Sequence, residues 1–135
     1  MEARMARGKD VHDARKAAVA ALGRELSRRA SSRCELCEAS GTLRVCEVPP
    51  TDEEPDLLRA ALLCERCGSL VSNGLPKRVN TDELRFLEQA IWSELLPVQL
   101  AAVRLCRALA ARDVPWAREA ADNLWLDDET QALLG

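Results

Sequence analysis

Two short cysteine pairs, Cys34-Glu-Leu-Cys37 and Cys64-Glu-Arg-Cys67, stand 26 residues apart in a chain of 135. Four thiolates at such spacing can close a tetrahedron around one Zn²⁺, each pair forming a tight knuckle whose sulfurs point the same way. The alternatives for the same residues are two disulfides or buried, unligated thiols. The segment between the pairs is too short to bury a self-sufficient core, so a metal would replace part of the missing hydrophobic stabilisation. The expected cofactor is therefore a single structural Zn²⁺ per chain, held by Cys34, Cys37, Cys64 and Cys67.

Flanking patterns predict an α+β fold, mainly helical. It comprises a basic N-terminal helix within 1–33, a zinc-ribbon-like or treble-clef-like module with a short β-hairpin over 34–79, and a helical bundle over 80–135. Residues 1–9 read as frayed and polar. From Asp10, the positions Val11, Ala14, Ala18, Leu22, Leu26 and Ala30 recur at helical spacing; Gly23 weakens the helix and Ser31-Ser32 ends it. Leu43 to Val48 alternates as a strand with Leu43, Val45 and Glu47 on one face, Pro49-Pro50 ends it, and Ala61-Leu62-Leu63 reads as a second strand. Gly68 and Asn73-Gly74 predict a turn-rich exit from the module. Asn80 to Glu83 predicts a capping box before a helix carrying Leu84, Leu87, Ile91 and Leu95. Between Pro97 and Ala111 the polar residues are Gln99, Arg104 and Arg107, which leaves an apolar arc of roughly 220° to be enclosed by the bundle or by a second subunit. Further helices are expected after Pro115, with Trp116, Ala120, Leu124 and Trp125, and after Asp127.

Charge is divided along the chain. Residues 1–33 carry nine Lys/Arg and four acids, so the remainder holds a net −8 of the overall −3. This basic arm is either a phosphate-contacting surface for nucleic acid or a solvated helix face; the interleaved Asp10, Asp13 and Glu25 and the 3% aromatic content favour the second. The chain has no run of about 18 apolar residues and its first residues lack a signal-like apolar core, which predicts a soluble, cytoplasmic protein without membrane attachment. Such a reducing compartment favours metal over disulfides. Cys46 reads as a fifth thiol near the metal or a packing residue, and Cys106 as a small buried hydrophobe. His12, the one histidine, reads as a surface residue.

Several motifs together resemble the PhnA family, whose bacterial members are named after an alkylphosphonate-utilisation operon. They are Arg33-Cys-Glu-Leu-Cys37, Glu47-Val-Pro-Pro50, Leu62-Leu-Cys-Glu-Arg-Cys67, Trp92-Ser-Glu94, Pro97-Val-Gln99 and Leu126-Asp-Asp-Glu-Thr130, spread over about Leu26 to Leu134. The resemblance implies a zinc-ribbon-like region; family members often add a C-terminal SH3-like barrel, and an architecture without it is expected here. Glu83-Leu-Arg-Phe-Leu87 stands where such proteins show His-Trp-Arg-Cys-Leu. The module is also similar to the zinc-bearing HNH nuclease scaffold. There a histidine-rich strand supplies the base and a metal ligand, and a further histidine follows the last cysteine pair; this chain has Val45-Cys46-Glu47-Val48 and Gly68 at those places.

Three functions follow as expectations. The first is a non-enzymatic zinc module presenting helices to a protein partner, a second copy or nucleic acid, because a closed four-thiolate site offers zinc no open position for water. The second is an enzyme of phosphonate metabolism, and the third a nucleic-acid binder using residues 4–33. Cleavage of nucleic acid is not expected, since no histidine base stands at Glu47 and His12 has no evident route into the module.

Overall fold

The computed structural model describes the backbone of residues 2–135 and the side chains of residues 10–135. Arg4, Arg7 and Lys9 of the basic arm therefore have side chains outside the described residues. Helix α1 spans Glu2–Ala21 and α2 spans Gly23–Ala30; a hairpin of β1 (Leu43–Glu47) and β2 (Ala60–Cys64) leads directly into α3 (Glu65–Asn73). Beyond Asn80 come α4 (Leu87–Ala90), α5 (Leu96–Ala111), α6 (Pro115–Asn123) and α7 (Asp128–Leu134). The chain is thus mostly helical with one two-stranded antiparallel sheet, in register Leu43 opposite Cys64 and Glu47 opposite Ala60.

The single helix expected from Asp10 to Ala30 is two helices beginning at Glu2, interrupted at Leu22 beside the weak point Gly23. Its apolar stripe serves only the second of them. Leu26 is fully buried against Ala60 and Leu62, with Leu22, Ala30, Leu43 and Val45 around it. On α1, by contrast, Ala14 and Ala18 are exposed and Val11 is 65% exposed. Two alanines and a valine bury too little apolar area to fix a helix orientation, and a polar anchor decides it instead. Arg15 donates to both carboxylate oxygens of Glu47, from Nε at 3.1 Å and Nη2 at 2.6 Å, and to the carbonyls of Asp52 and Glu53.

A second arginine joins α2 to the sheet. Arg29 makes a two-pronged contact with Glu35 at 2.7 and 2.8 Å and also donates to the carbonyls of Leu57 and Ala60. Glu35 in turn accepts from the Leu62 amide and donates its own amide to the Leu62 carbonyl, both at 2.8 Å. The segment carrying the first cysteine pair is thereby fastened along the free edge of β2, satisfying backbone groups that an edge strand would leave open.

The turn-rich exit expected after Cys67 is instead α3. Cys64 is its N-cap, with its sulfur accepting from the Cys67 amide at 3.5 Å; Cys67 and Leu70 face the core, and Gly74 stops the helix at φ 79°. Gly68 is inside the helix because packing, and not a turn, requires it: a Cβ there would lie 3.2 Å from Cys46 Sγ. Tertiary contact overrides a helix propensity deficit of roughly 1 kcal/mol.

Asn80 caps as expected by accepting from the Asp82 amide, but it starts a 3₁₀ turn over Thr81–Leu84. Leu84, Leu87 and Ile91 are buried as expected, on short pieces instead of one long helix. The apolar arc of α5 is covered within the chain: Val98, Leu100, Ala101, Ala102, Val103, Leu105, Cys106 and Leu109 are buried against the other helices and β2. One continuous core runs from Leu36, Val48 and Leu63 of the cysteine module to Leu87, Leu100 and Leu109.

Glu35 has only 2% of its side chain exposed and Arg29 22%. Removing one partner of a desolvated pair strands the other charge, at a cost of about 3–5 kcal/mol. The Arg29→Gln substitution is expected to lower the unfolding free energy by about that amount in urea titration, with the native far-ultraviolet circular dichroism retained before the transition.

Candidate metal centre

The knuckle that opens the module is built by local hydrogen bonds. The Cys34 amide donates to the Ala39 carbonyl at 2.9 Å and the Glu38 amide to the Cys34 carbonyl at 2.8 Å, with Glu38 at φ 67° completing the reversal. The hairpin then returns the chain to the same place, and the first turn of α3 delivers the second pair. Sulfurs from Cys34, Cys37, Cys64 and Cys67 all lie within 4.8 Å of one another. Cysteine sulfurs about 2.3 Å from a common tetrahedral centre stand about 3.8 Å apart, and Cys37 Sγ and Cys64 Sγ are 3.7 Å apart. All six cysteines are unbonded, so the disulfide reading does not hold.

The electrostatics of the cluster call for a cation. The Cys34 thiol is pulled well down because it accepts a hydrogen bond from Cys67, and burial opposes this only in part. The Cys67 thiol is driven up by the same hydrogen bond, then by burial and the neighbouring sulfurs. Burial also raises Cys37. A set of thiols this close cannot all ionise unless a positive charge joins them; a divalent ion would supply it by displacing their protons, and soft sulfur donors suit zinc. Arg66 adds an outer positive charge. Burial opposes its charge, but a hydrogen bond to Cys37 and the field of Cys67 and Cys37 outweigh that and raise it. Its guanidinium also lies over the Phe86 ring, 5.4 Å from the centroid.

Cys46 is half-buried on β1, with its sulfur 3.7 Å from the Arg44 carbonyl and beside Gly68; it is not in the four-sulfur cluster. Cys106 is buried, as expected, and directs its sulfur to the Ala117 carbonyl. His12 is exposed, as expected, but it is not remote from the module. It lines a cleft of about 490 Å³ together with Arg15, Lys16, Cys46, Glu47 and Ser72, so α1 does bring it to the strand. Both carboxylate oxygens of Glu47 are nevertheless engaged by the two-pronged contact from Arg15. The sequence marks Arg15 and Arg29 only as members of the basic arm and Glu35 and Arg66 only as residues between paired cysteines, and it assigns none of them a partner. Arg29 and Glu35 are six residues apart across a helix end, a spacing with no motif of its own.

Geometry and donor set define a chain whose four-cysteine centre is able to hold a metal ion, on a knuckle, a hairpin and a helix start. Comparison with protein families, with characterised proteins and with solved structures gives no match. Among the described residues, no helix is long and apolar enough to cross a membrane.

A double substitution separates packing from ligation at Cys46. Gly68→Ala in a Cys46→Ala background is expected to raise stability by about 0.5–1 kcal/mol, and to raise it less, or lower it, when Cys46 is present. Metal content should be unchanged in Cys46→Ala; a loss of bound metal would make Cys46 a ligand.

Proposed function

We propose that this chain is a cytoplasmic zinc-binding module of the PhnA type. In this reading Cys34, Cys37, Cys64 and Cys67 hold one structural Zn²⁺ in a treble-clef-like arrangement, and the surrounding helices bind a protein partner or a second copy. The observation that carries it is the closure of the site. Four sulfurs within 4.8 Å of one another are enough to fill a tetrahedral shell, two of their residues, Cys34 and Cys67, are at most 1% exposed, and among the described residues no further donor joins the cluster. Catalytic zinc keeps a position for water, and a filled tetrathiolate does not. The metal's contribution is then folding free energy, since the ligands converge only when hairpin and α3 are in place. Support for the PhnA type remains the order and spacing of the sequence motifs.

Elemental analysis of the purified chain should give one zinc per chain, and Cys34→Ser or Cys67→Ser should reduce it. Chelation at neutral pH is expected to lower the melting temperature sharply, and acidification to release the metal as protons compete for the thiolates. A chain that is metal-free yet fully folded would sink the reading.

Nucleic acid as the partner has its own supporting observation. Arg24 and Arg28 are exposed on α2 and share a shallow groove with Ser27, Ser31 and Ser32, while Arg15 and Arg29 are occupied by carboxylates. If this groove contacts phosphates, gel-shift affinity for DNA or RNA should fall with salt, and Arg24→Gln with Arg28→Gln should flatten that slope by about two phosphate contacts. Cleavage in Mg²⁺, Mn²⁺ or Ni²⁺ should stay at background, because Glu47 is held by Arg15. Nicking that vanishes in Glu47→Gln would reverse that assignment.

A further inference from the structure

A second cleft lies between α3 and α5, and no cysteine lines it. It measures about 360 Å³ and is lined by Leu70, Val71 and Leu75 on one wall and by Ala101, Leu105 and Ala108 of α5 on the other. Ligand pockets begin at about 300 Å³, so the space is that of a small molecule. Its walls are fixed. Leu70 and Leu105 belong to the main core, and the loop after α3 is pinned by Arg112, which donates to the carbonyls of Pro76 at 2.7 Å and Leu75 at 3.3 Å. The room comes from small side chains, Ala101 and Ala108, and from Gly74, where a Cβ would meet nothing within 4 Å.

One charged group, Arg104, lines this otherwise apolar cleft. It is half-buried; Nη2 donates to the Leu133 carbonyl at 3.0 Å, and no carboxylate among the described residues pairs with it. Its charge is met by that one carbonyl and by no carboxylate, and burial pulls its protonation equilibrium down. Of the other half-buried arginines, Arg15 and Arg29 each hold a carboxylate, whereas Arg59 holds none among the described residues and leaves Nη1 buried without a partner. A guanidinium on the central apolar helix costs solvation free energy unless an anion meets it, and its planar fork matches a carboxylate in two-pronged geometry. Apolar walls and one cation together select a molecule with an apolar body and a single anionic head.

We propose that the cleft between α3 and α5 binds a small apolar monocarboxylate, with its body against Leu70, Val71 and Leu105 and its carboxylate on Arg104. The site is independent of the metal centre and of the basic groove on α2.

Titration of the full chain with decanoate and with decanol, followed by the methyl resonances of Leu70, Val71 and Leu105, tests the proposal. Decanoate should shift these signals saturably and bind more tightly than decanol. Arg104→Leu should weaken decanoate by about ten- to a hundredfold, the range for charge-assisted hydrogen bonds, while leaving decanol nearly unchanged. Ala108→Phe, which fills the cleft without touching the charge, should abolish binding of both. Circular dichroism checks that each variant is folded, and the comparison of the two ligands on the unaltered chain stands without the variants. Absence of saturable shifts, equal affinity for decanoate and decanol, or an unchanged decanoate affinity in folded Arg104→Leu would overturn the proposal. So would methyl shifts that follow protein concentration without ligand, which would mean that a second copy covers the cleft.

Discussion

Four cysteine sulfurs drawn within 4.8 Å of one another are the constraint on which the rest of this structure depends. So close a set of thiols gains little from packing and repels strongly once ionised, so its position at the junction of knuckle, hairpin and helix makes sense as a cation's coordination shell. That junction sets the local geometry. Cys64 must end β2 and cap α3 at once, which fixes the strand-to-helix turn, and the knuckle must lie along the edge of β2 to bring Cys34 and Cys37 alongside.

Two arginine–glutamate pairs complete what the sulfurs begin. Arg29 and Glu35 bind α2 and the knuckle to β2, and Arg15 and Glu47 bind α1 to β1. They differ in burial and therefore in consequence. Glu35 is nearly inaccessible and also accepts from a backbone amide, so loss of its partner is costly. The Arg15 pair is more open and contributes orientation more than stability. Its effect is on the cleft that also contains His12 and Cys46, where it engages both oxygens of Glu47.

The C-terminal helices are part of the same body, and no separate core serves them. Buried residues of the cysteine module and of α4, α5 and α6 form one cluster, with α5 at its centre. An apolar arc as broad as that of α5 is satisfied when neighbours lie on several sides, and here α3, α4, α6, α7 and β2 do so. Arg104 of that helix lines an otherwise apolar cleft while donating to the Leu133 carbonyl.

Much of this was legible in the chain itself because it depends on local spacing. The cysteine pairs, the alternation of Leu43, Val45 and Glu47, the capping residue Asn80 and the periodic Leu84, Leu87 and Ile91 all signal through neighbours a few residues away, although the segment after Asn80 is a 3₁₀ turn and a short helix instead of one long helix. Failures came where local and tertiary preferences disagree. Gly74 ends α3 at a positive φ as its turn signal suggests, but Gly68 suggests a turn and is inside the capped helix, where a Cβ would lie 3.2 Å from Cys46 Sγ. Val11, Ala14 and Ala18 suggest a buried stripe, yet α1 is set by Arg15 finding Glu47, a partner 32 residues away. Sequence by itself determined which atoms could gather around a metal and which elements would carry them. Tertiary structure alone decided how those elements are fastened and which arginines meet a carboxylate, because long side chains choose partners in space that no periodicity records.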